Sequence, residues 1–307
     1  MRLADKNIVV TGGAGFIGKH LVRNLIEKRG VDPSKIKIPR SKEYDLRIFS
    51  NARKALKGAN IVFNLACDVG GSGYSRLHPA TQCYNALILA LQVIEAAKDE
   101  GVEKIVMISS TCSYPQDAPQ PLKEENLYRG LPNTSLDGYG MAKRMTAFLT
   151  DIYNREFGLN VAVVVPTNAY GPGDDFDLYK GHVIPSLIRR CHTQNELTVW
   201  GDGTPTRDFL YVEDFAEGVI LAAEKLESTQ PVNLGSGKEV SIKELVRMII
   251  GLTGFKGKIR FNKAKLQGQV RRSVDISKAK KLLGFEPKWS LEEGLQKTIY
   301  WYKKNYL

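Results

Sequence analysis

The sequence predicts an α/β fold: a doubly wound parallel sheet with a smaller C-terminal α/β lobe. Three observations predict it. Short apolar runs alternate with helical periodicity through the first half of the chain; the first run breaks into a glycine-rich turn; a later run ends in a cluster of hydroxyls and a thiol, Ser109-Ser110-Thr111-Cys112-Ser113. In an open parallel sheet, ligands bind beyond the carboxyl ends of the strands. Residues 1–168 are expected to form a dinucleotide-binding domain and residues 169–307 mainly a substrate lobe, with a strand near 232–234 returning to the sheet.

Composition bounds the function. At 307 residues, 43% hydrophobic and 25% charged, the chain is long enough for a large core and two lobes. It has no apolar run approaching a membrane span, and its opening MRLADKNIVV leads into a strand without a leader's basic, apolar and small-residue pattern. A cytoplasmic location and no membrane partner are therefore expected. Cys67, Cys83, Cys112 and Cys191 show no CxxC pairing and no metal-ligand spacing with the four histidines, so free thiols and no metal are expected. The formal charge of +11 is dispersed, concentrated only near Lys256–Lys265 and Lys278–Lys281. That distribution favours a basic surface or an anionic small-molecule site over a nucleic-acid groove.

Taken in order, Asn7–Thr11 is an apolar strand that breaks into Gly12-Gly13-Ala14-Gly15-Phe16-Ile17-Gly18, followed by helical periodicity from Lys19 to Lys28. The spacing GxxGxxG allows a tight turn and lets the backbone approach a pyrophosphate at the positive end of the helix, the Rossmann arrangement. The second strand is Ile36–Ile38. The residues after it, Pro39-Arg40-Ser41-Lys42, carry no acid to grip a ribose 2′-hydroxyl, whereas Arg40 with Ser41 or Lys42 suits a 2′-phosphate. NADP is therefore favoured, with NAD as the alternative; the blander reading makes Arg40 a solvent-facing loop residue. Asp45-Leu46 places an acid where it can reach the adenine edge. Further strands are Asn60–Ala66, Lys104–Ser109 and Val161–Pro166, with Asn85 near the start of a crossover helix through Val93–Ala97. In the second half, His182–Arg190, Glu213–Leu226, Ser241–Leu252 and Leu291–Tyr302 read as helices and Leu197–Trp200, Val232–Leu234 and Lys258–Phe261 as strands.

The chemistry centres on Gly138-Tyr139-Gly140-Met141-Ala142-Lys143, where Tyr139 and Lys143 stand four residues apart on one helix face. An ammonium beside a phenol favours the phenolate, so Tyr139 can act as acid or base on an alcohol or ketone. The competing reading is a half-exposed pair packing its stems. Ser110 at the strand end completes a Ser-Tyr-Lys set.

The glycine turn, the SSTC strand end and YGMAK resemble the extended short-chain dehydrogenases/reductases of the nucleotide-sugar epimerase/dehydratase class. Val69-Gly70-Gly71, Tyr114-Pro115, Pro166-Thr167-Asn168 to Pro172, and His182-Val183-Ile184-Pro185 are similar to the GDP-L-fucose synthase subfamily, 3,5-epimerases and 4-reductases of GDP-4-keto-6-deoxymannose. The resemblance implies that Tyr139 protonates the C4 oxygen as NADPH reduces C4, that Ser110 hydrogen-bonds that oxygen, and that Lys143 holds the nicotinamide ribose and tunes Tyr139. It implies Cys112 as base and His182 as acid in the inversion of C3 and C5, whose protons the C4 carbonyl acidifies. Otherwise Cys112 is a small buried hydrophobe and His182 caps or packs a helix.

The cofactor contacts so assigned are Gly12, Gly15, Phe16, Ile17, Gly18, Arg40, Asp45, Leu46, Leu65, Ala66, Asn85, Ser109, Tyr139, Lys143, Pro166 and Asn168. Those to a nucleotide-diphosphate sugar are Ser110, Thr111, Cys112, Asn168, His182, Val183, Arg190, Trp200 and Arg207, with Trp200 stacked on guanine and Arg190 or Arg207 on diphosphate. The class also implies a homodimer through the Tyr139 helix and its neighbour. Gly173, Asp175, Asn133 and Asp137 depart from the family pattern and leave the sugar open. The alternatives are a 4-reductase without epimerisation, a UDP-sugar 4-epimerase that retains NAD, and a cofactor-sensing binding protein.

Overall fold

Strands whose residues are all apolar have two faces to bury, and helices must cover both. The computed structural model describes residues 1–134, 136–262 and 269–307. Part of the basic stretch Lys256–Lys265 lies outside the described residues. The first half alternates β1 (Ile8–Thr11), α1 (Phe16–Arg29), β2 (Ile36–Lys37), α2 (Phe49–Leu56), β3 (Ile61–Asn64), α3 (Ser72–Leu77), α4 (Pro79–Asp99), β4 (Lys104–Ile108), α5 (Asp137–Phe157) and β5 (Val161–Pro166). The second half runs β6 (Asn168–Tyr170), α6 (Val183–Thr193), β7 (Glu196–Trp200), β8 (Thr206–Arg207), β9 (Phe209–Tyr211), α7 (Val212–Lys225), β10 (Val232–Leu234), β11 (Val240–Ser241), α8 (Ile242–Thr253), β12 (Lys258–Asn262), β13 (Arg271–Arg272), α9 (Ser277–Leu283) and α10 (Leu291–Tyr306).

The main sheet is parallel throughout, in the order β2-β1-β3-β4-β5-β10. This is the doubly wound order 2-1-3-4-5 extended by one strand. Alternate side chains point to opposite faces. Val9, Val62, Ile105 and Val163 pack under α2, α4 and α5, while Val10, Phe63, Val106 and Val164 pack under α1, α7 and α9. β1 has neighbours on both sides, so the crevice beyond its carboxyl end lies where the winding reverses.

A third apolar cluster forms the small lobe: Leu187 and Ile188 of α6, Leu197 of β7, Leu245 and Ile249 of α8, and Leu295 and Ile299 of α10. β12 pairs in parallel with β7, and β8 lies between β11 and β13. Both α8 and α10 begin with reciprocal capping boxes, Ser241 with Glu244 and Ser290 with Glu293.

The observed strands β2 and β3 are shorter than the apolar runs that announced them. Leu65 and Ala66 leave the ladder after Asn64, which puts their backbone at the sheet end. Among the described residues no helix is long and apolar enough to cross a membrane, and no cluster of His, Cys, Asp and Glu could hold a metal ion.

Candidate active site

A cleft of about 1340 Å³ runs from the carboxyl end of the sheet to the small lobe, and every cofactor and substrate candidate named above lines it. At the first end, Gly12 adopts a left-handed φ of +68°, and a Cβ there would stand 3.0 Å from Ala66 N. A Cβ on Gly18 would stand 2.3 Å from Gly12 O, so the helix rests directly on the turn. Gly15 caps α1 without a side-chain hydrogen bond, which leaves the first amides of the helix for a phosphate. This cradle fits the dinucleotide that the sequence predicts.

Asp45 lines the cleft as an ion-paired carboxylate. Its carboxylate accepts from the Arg47 guanidinium, with contacts down to 2.8 Å, and that bond holds its pKa below the usual value. Arg47 also donates to Asn85 Oδ1 at 3.2 Å, and Asn85 Nδ2 donates to Asp68 at 2.9 Å. A polar chain therefore joins the Asp45 end of the cleft to the centre, through Arg47 and Asp68, which sequence reasoning missed.

The centre is built by α5 pressing on the turn after β4. A Cβ on Gly140 would stand 2.4 Å from Cys112 O, so only glycine permits this approach. Arg144 fixes it from the next turn, donating to Ser113 O at 2.8 Å and Gly130 O at 2.6 Å. Ser109 is buried, its hydroxyl donating to Lys143 O at 2.9 Å. Ser110 Oγ accepts from Cys112 N at 3.1 Å and shares a hydrogen bond with the Tyr139 hydroxyl.

Burial raises the Tyr139 phenol well above its ordinary pKa; Cys67, Cys112 and Asp68 add to the rise and the Ser110 bond opposes it. The sequence reading had Lys143 lowering the cost of the phenolate. In the structure the Lys143 ammonium donates to Ile108 O at 2.9 Å and lies 5.9 Å from the Tyr139 ring centroid. Desolvation is the largest influence on the phenol, and it favours the protonated form.

Across the cleft, His182 is the N-cap residue of α6, yet its side chain makes no capping bond, and it opens to the cleft. Surrounding protein lowers its pKa, opposed by the Asp175 carboxylate. Cys112 Sγ accepts from Arg272 Nη1 at 3.4 Å. β13 places Arg272 beside Arg207 of β8; burial, with Arg272 alongside, lowers the Arg207 guanidinium to about 10. Arg190 donates to Thr198 O at 3.1 Å, and Trp200 lies at the exposed edge of the same lobe. Arg272 was missed because nothing local marks it.

The family model described as "NAD dependent epimerase/dehydratase family" matches residues 8–235. The chain is 36% identical to a GDP-L-fucose synthase of Sinorhizobium fredii, over 96% of this chain and 95% of that one. It superposes with a TM-score of 0.89 on a GDP-L-fucose synthetase from Naegleria fowleri bound to NADP, at 28% identity over 99% of this chain and 94% of that one. A GDP-6-OMe-4-keto-L-xylo-heptose reductase from C. jejuni matches with a TM-score of 0.90, at 26% identity over 97% of each chain.

Proposed function

The chain belongs to the NAD dependent epimerase/dehydratase family, and from that premise we propose that it converts GDP-4-keto-6-deoxymannose to GDP-L-fucose by inverting C3 and C5 and reducing C4. The observation that carries this reading is the meeting of Ser110, Tyr139, Cys112 and His182 on one cleft, two pairs suited to two proton chemistries at one ketone. NADPH, when bound, supplies the hydride for C4. The glycine turn and the open amides of α1 would hold its pyrophosphate, Arg40 on the same cleft would take a 2′-phosphate, and Lys143 would hold the ribose.

In the inversions, Cys112 Sγ, as the thiolate, takes the proton from the carbon beside the carbonyl, and His182, as the imidazolium, gives one to the opposite face. Thiol and imidazole then reset by exchange with water, so each inverted carbon carries a solvent proton. In the reduction, Tyr139 gives its phenolic proton to the C4 oxygen, with Ser110 steering that oxygen and the Lys143 ammonium stabilising the phenolate left behind. Arg207 and Arg272, a half-buried cationic pair on the cleft, suit a diphosphate. α4 and α5 turn an apolar face to solvent, which supports a homodimer through these helices.

The test is NADPH oxidation with GDP-4-keto-6-deoxymannose in heavy water. Deuterium at both C3 and C5 of the product is expected. Turnover without deuterium would support the second reading, a 4-reductase, which the likeness to the C. jejuni reductase favours; no NADPH oxidation would overturn the substrate.

A further inference from the structure

His182 ends a short strap, residues 174–182, that crosses between the lobes. Its first anchor is Phe176, whose ring packs on Trp301, Tyr302 and Tyr306 of α10 at centroid distances of 5.8, 4.8 and 5.6 Å. The strap then turns tightly: Asp177 Oδ1 accepts from Tyr179 N at 2.7 Å and Lys180 N at 2.8 Å, and Asp177 O accepts from Gly181 N at 2.8 Å.

The tip of this turn is seated on the other domain. Gly71 N, at the start of α3, donates to Lys180 O at 2.8 Å. The Tyr179 hydroxyl meets His78 Nε2 at 3.3 Å, and the Lys180 ammonium lies 5.4 Å from the Tyr74 ring centroid. A Cβ on Gly71 would stand 2.8 Å from Gly181 O and 3.3 Å from Lys180 O. Both are backbone atoms of the strap, and Gly181 directly precedes His182, so whatever displaces one displaces the other.

We propose that Gly71 is a positioning residue for the C3/C5 inversion: its bare Cα lets the strap close on the dinucleotide-binding domain, and that closure sets where the His182 ring stands. Tyr139 rides on α5, outside the clasp, so the two proton donors are placed by separate parts of the fold. The proposal rests on the reading of His182 as the donor to C3 and C5.

The experiment compares wild type with Gly71→Ala in heavy water, reading deuterium incorporated at C3 and C5 per NADPH oxidised. A misplacement of ~1 Å costs about 10²-fold in a positioned step, so a fall of that order in the ratio is expected while NADPH oxidation continues. His78→Ala removes one side-chain contact of the clasp without adding an atom, and should lower the ratio in the same direction. Amide hydrogen exchange in the wild-type protein reads the clasp without any substrate: Gly71 should be protected. An unprotected Gly71 amide, or a wild-type ratio in Gly71→Ala, overturns the proposal. A wild type that left this ketone untouched would count against the substrate alone, since the amide measurement decides the clasp independently.

Discussion

The protein crowded around the Tyr139 ring raises its phenol above the ordinary value, which strengthens its hold on the proton. A phenol raised above its ordinary pKa is protonated throughout the neutral range, so this group should cause no loss of NADPH oxidation up to about pH 9. Tyr139→Phe removes the proton and little else; reduction should fall by at least about 10²-fold, with NADPH binding by fluorescence titration unchanged. His182 runs the other way. Burial lowers its pKa and Asp175 props it up, so Asp175→Asn should lower it further and move the falling limb of C3/C5 deuterium exchange to lower pH. A limb that stayed in place or rose would remove Asp175 from the acid's control. Tyr139, Lys143 and Ser110 were legible in the sequence because helix spacing and a strand end are local signals. The direction of the Tyr139 shift was not, since desolvation depends on everything folded around the ring. Arg272 was invisible for a similar reason: it reaches Cys112 from 160 residues away.

At the scale of elements, the passage from β1 through the glycine turn into α1 depends on two different tolerances. A Cβ on Gly18 meets backbone at 2.3 Å from Gly12 O and 2.5 Å from Gly13 Cα, whereas a Cβ on Gly15 meets only Gly12 O at 3.2 Å. Gly18→Ala should therefore push α1 off the turn, weakening NADPH affinity tenfold or more and lowering the melting temperature; overpacking of this kind costs about 1–3 kcal/mol. Gly15→Ala should be milder on both readouts, and equal effects would mean that the helix tolerates the shift. This turn was readable because a strand, three spaced glycines and a helical pattern follow one another directly. The short pairings of the small lobe were not. β8, β11 and β13 have two residues each, too few for any periodicity, and their partners are fixed only when α6, α8 and α10 have packed.

At the scale of the whole molecule, α4 and α5 pack on each other and leave an outer face that water would not choose. Met141, Met145 and Phe148 stand on one stripe of α5, with Tyr84 and Leu91 exposed on α4 and the Tyr128 ring edge-on to Phe148 at 6.2 Å. A contiguous apolar patch of this kind marks an association surface, and a symmetric pair of copies would bury it by meeting the same two helices of the partner. Sedimentation is expected to give a mass twice 34.2 kDa. Phe148→Glu places a charge in the centre of that face, so the protein should become a monomer at micromolar concentration and its melting temperature should lose its dependence on protein concentration. Because α5 also carries Tyr139 and holds the Cys112 turn through Gly140 and Arg144, loosening it should slow NADPH oxidation in the same variant. A wild-type protein that sedimented as a monomer would remove the interface while leaving the chemistry of the cleft as it stands.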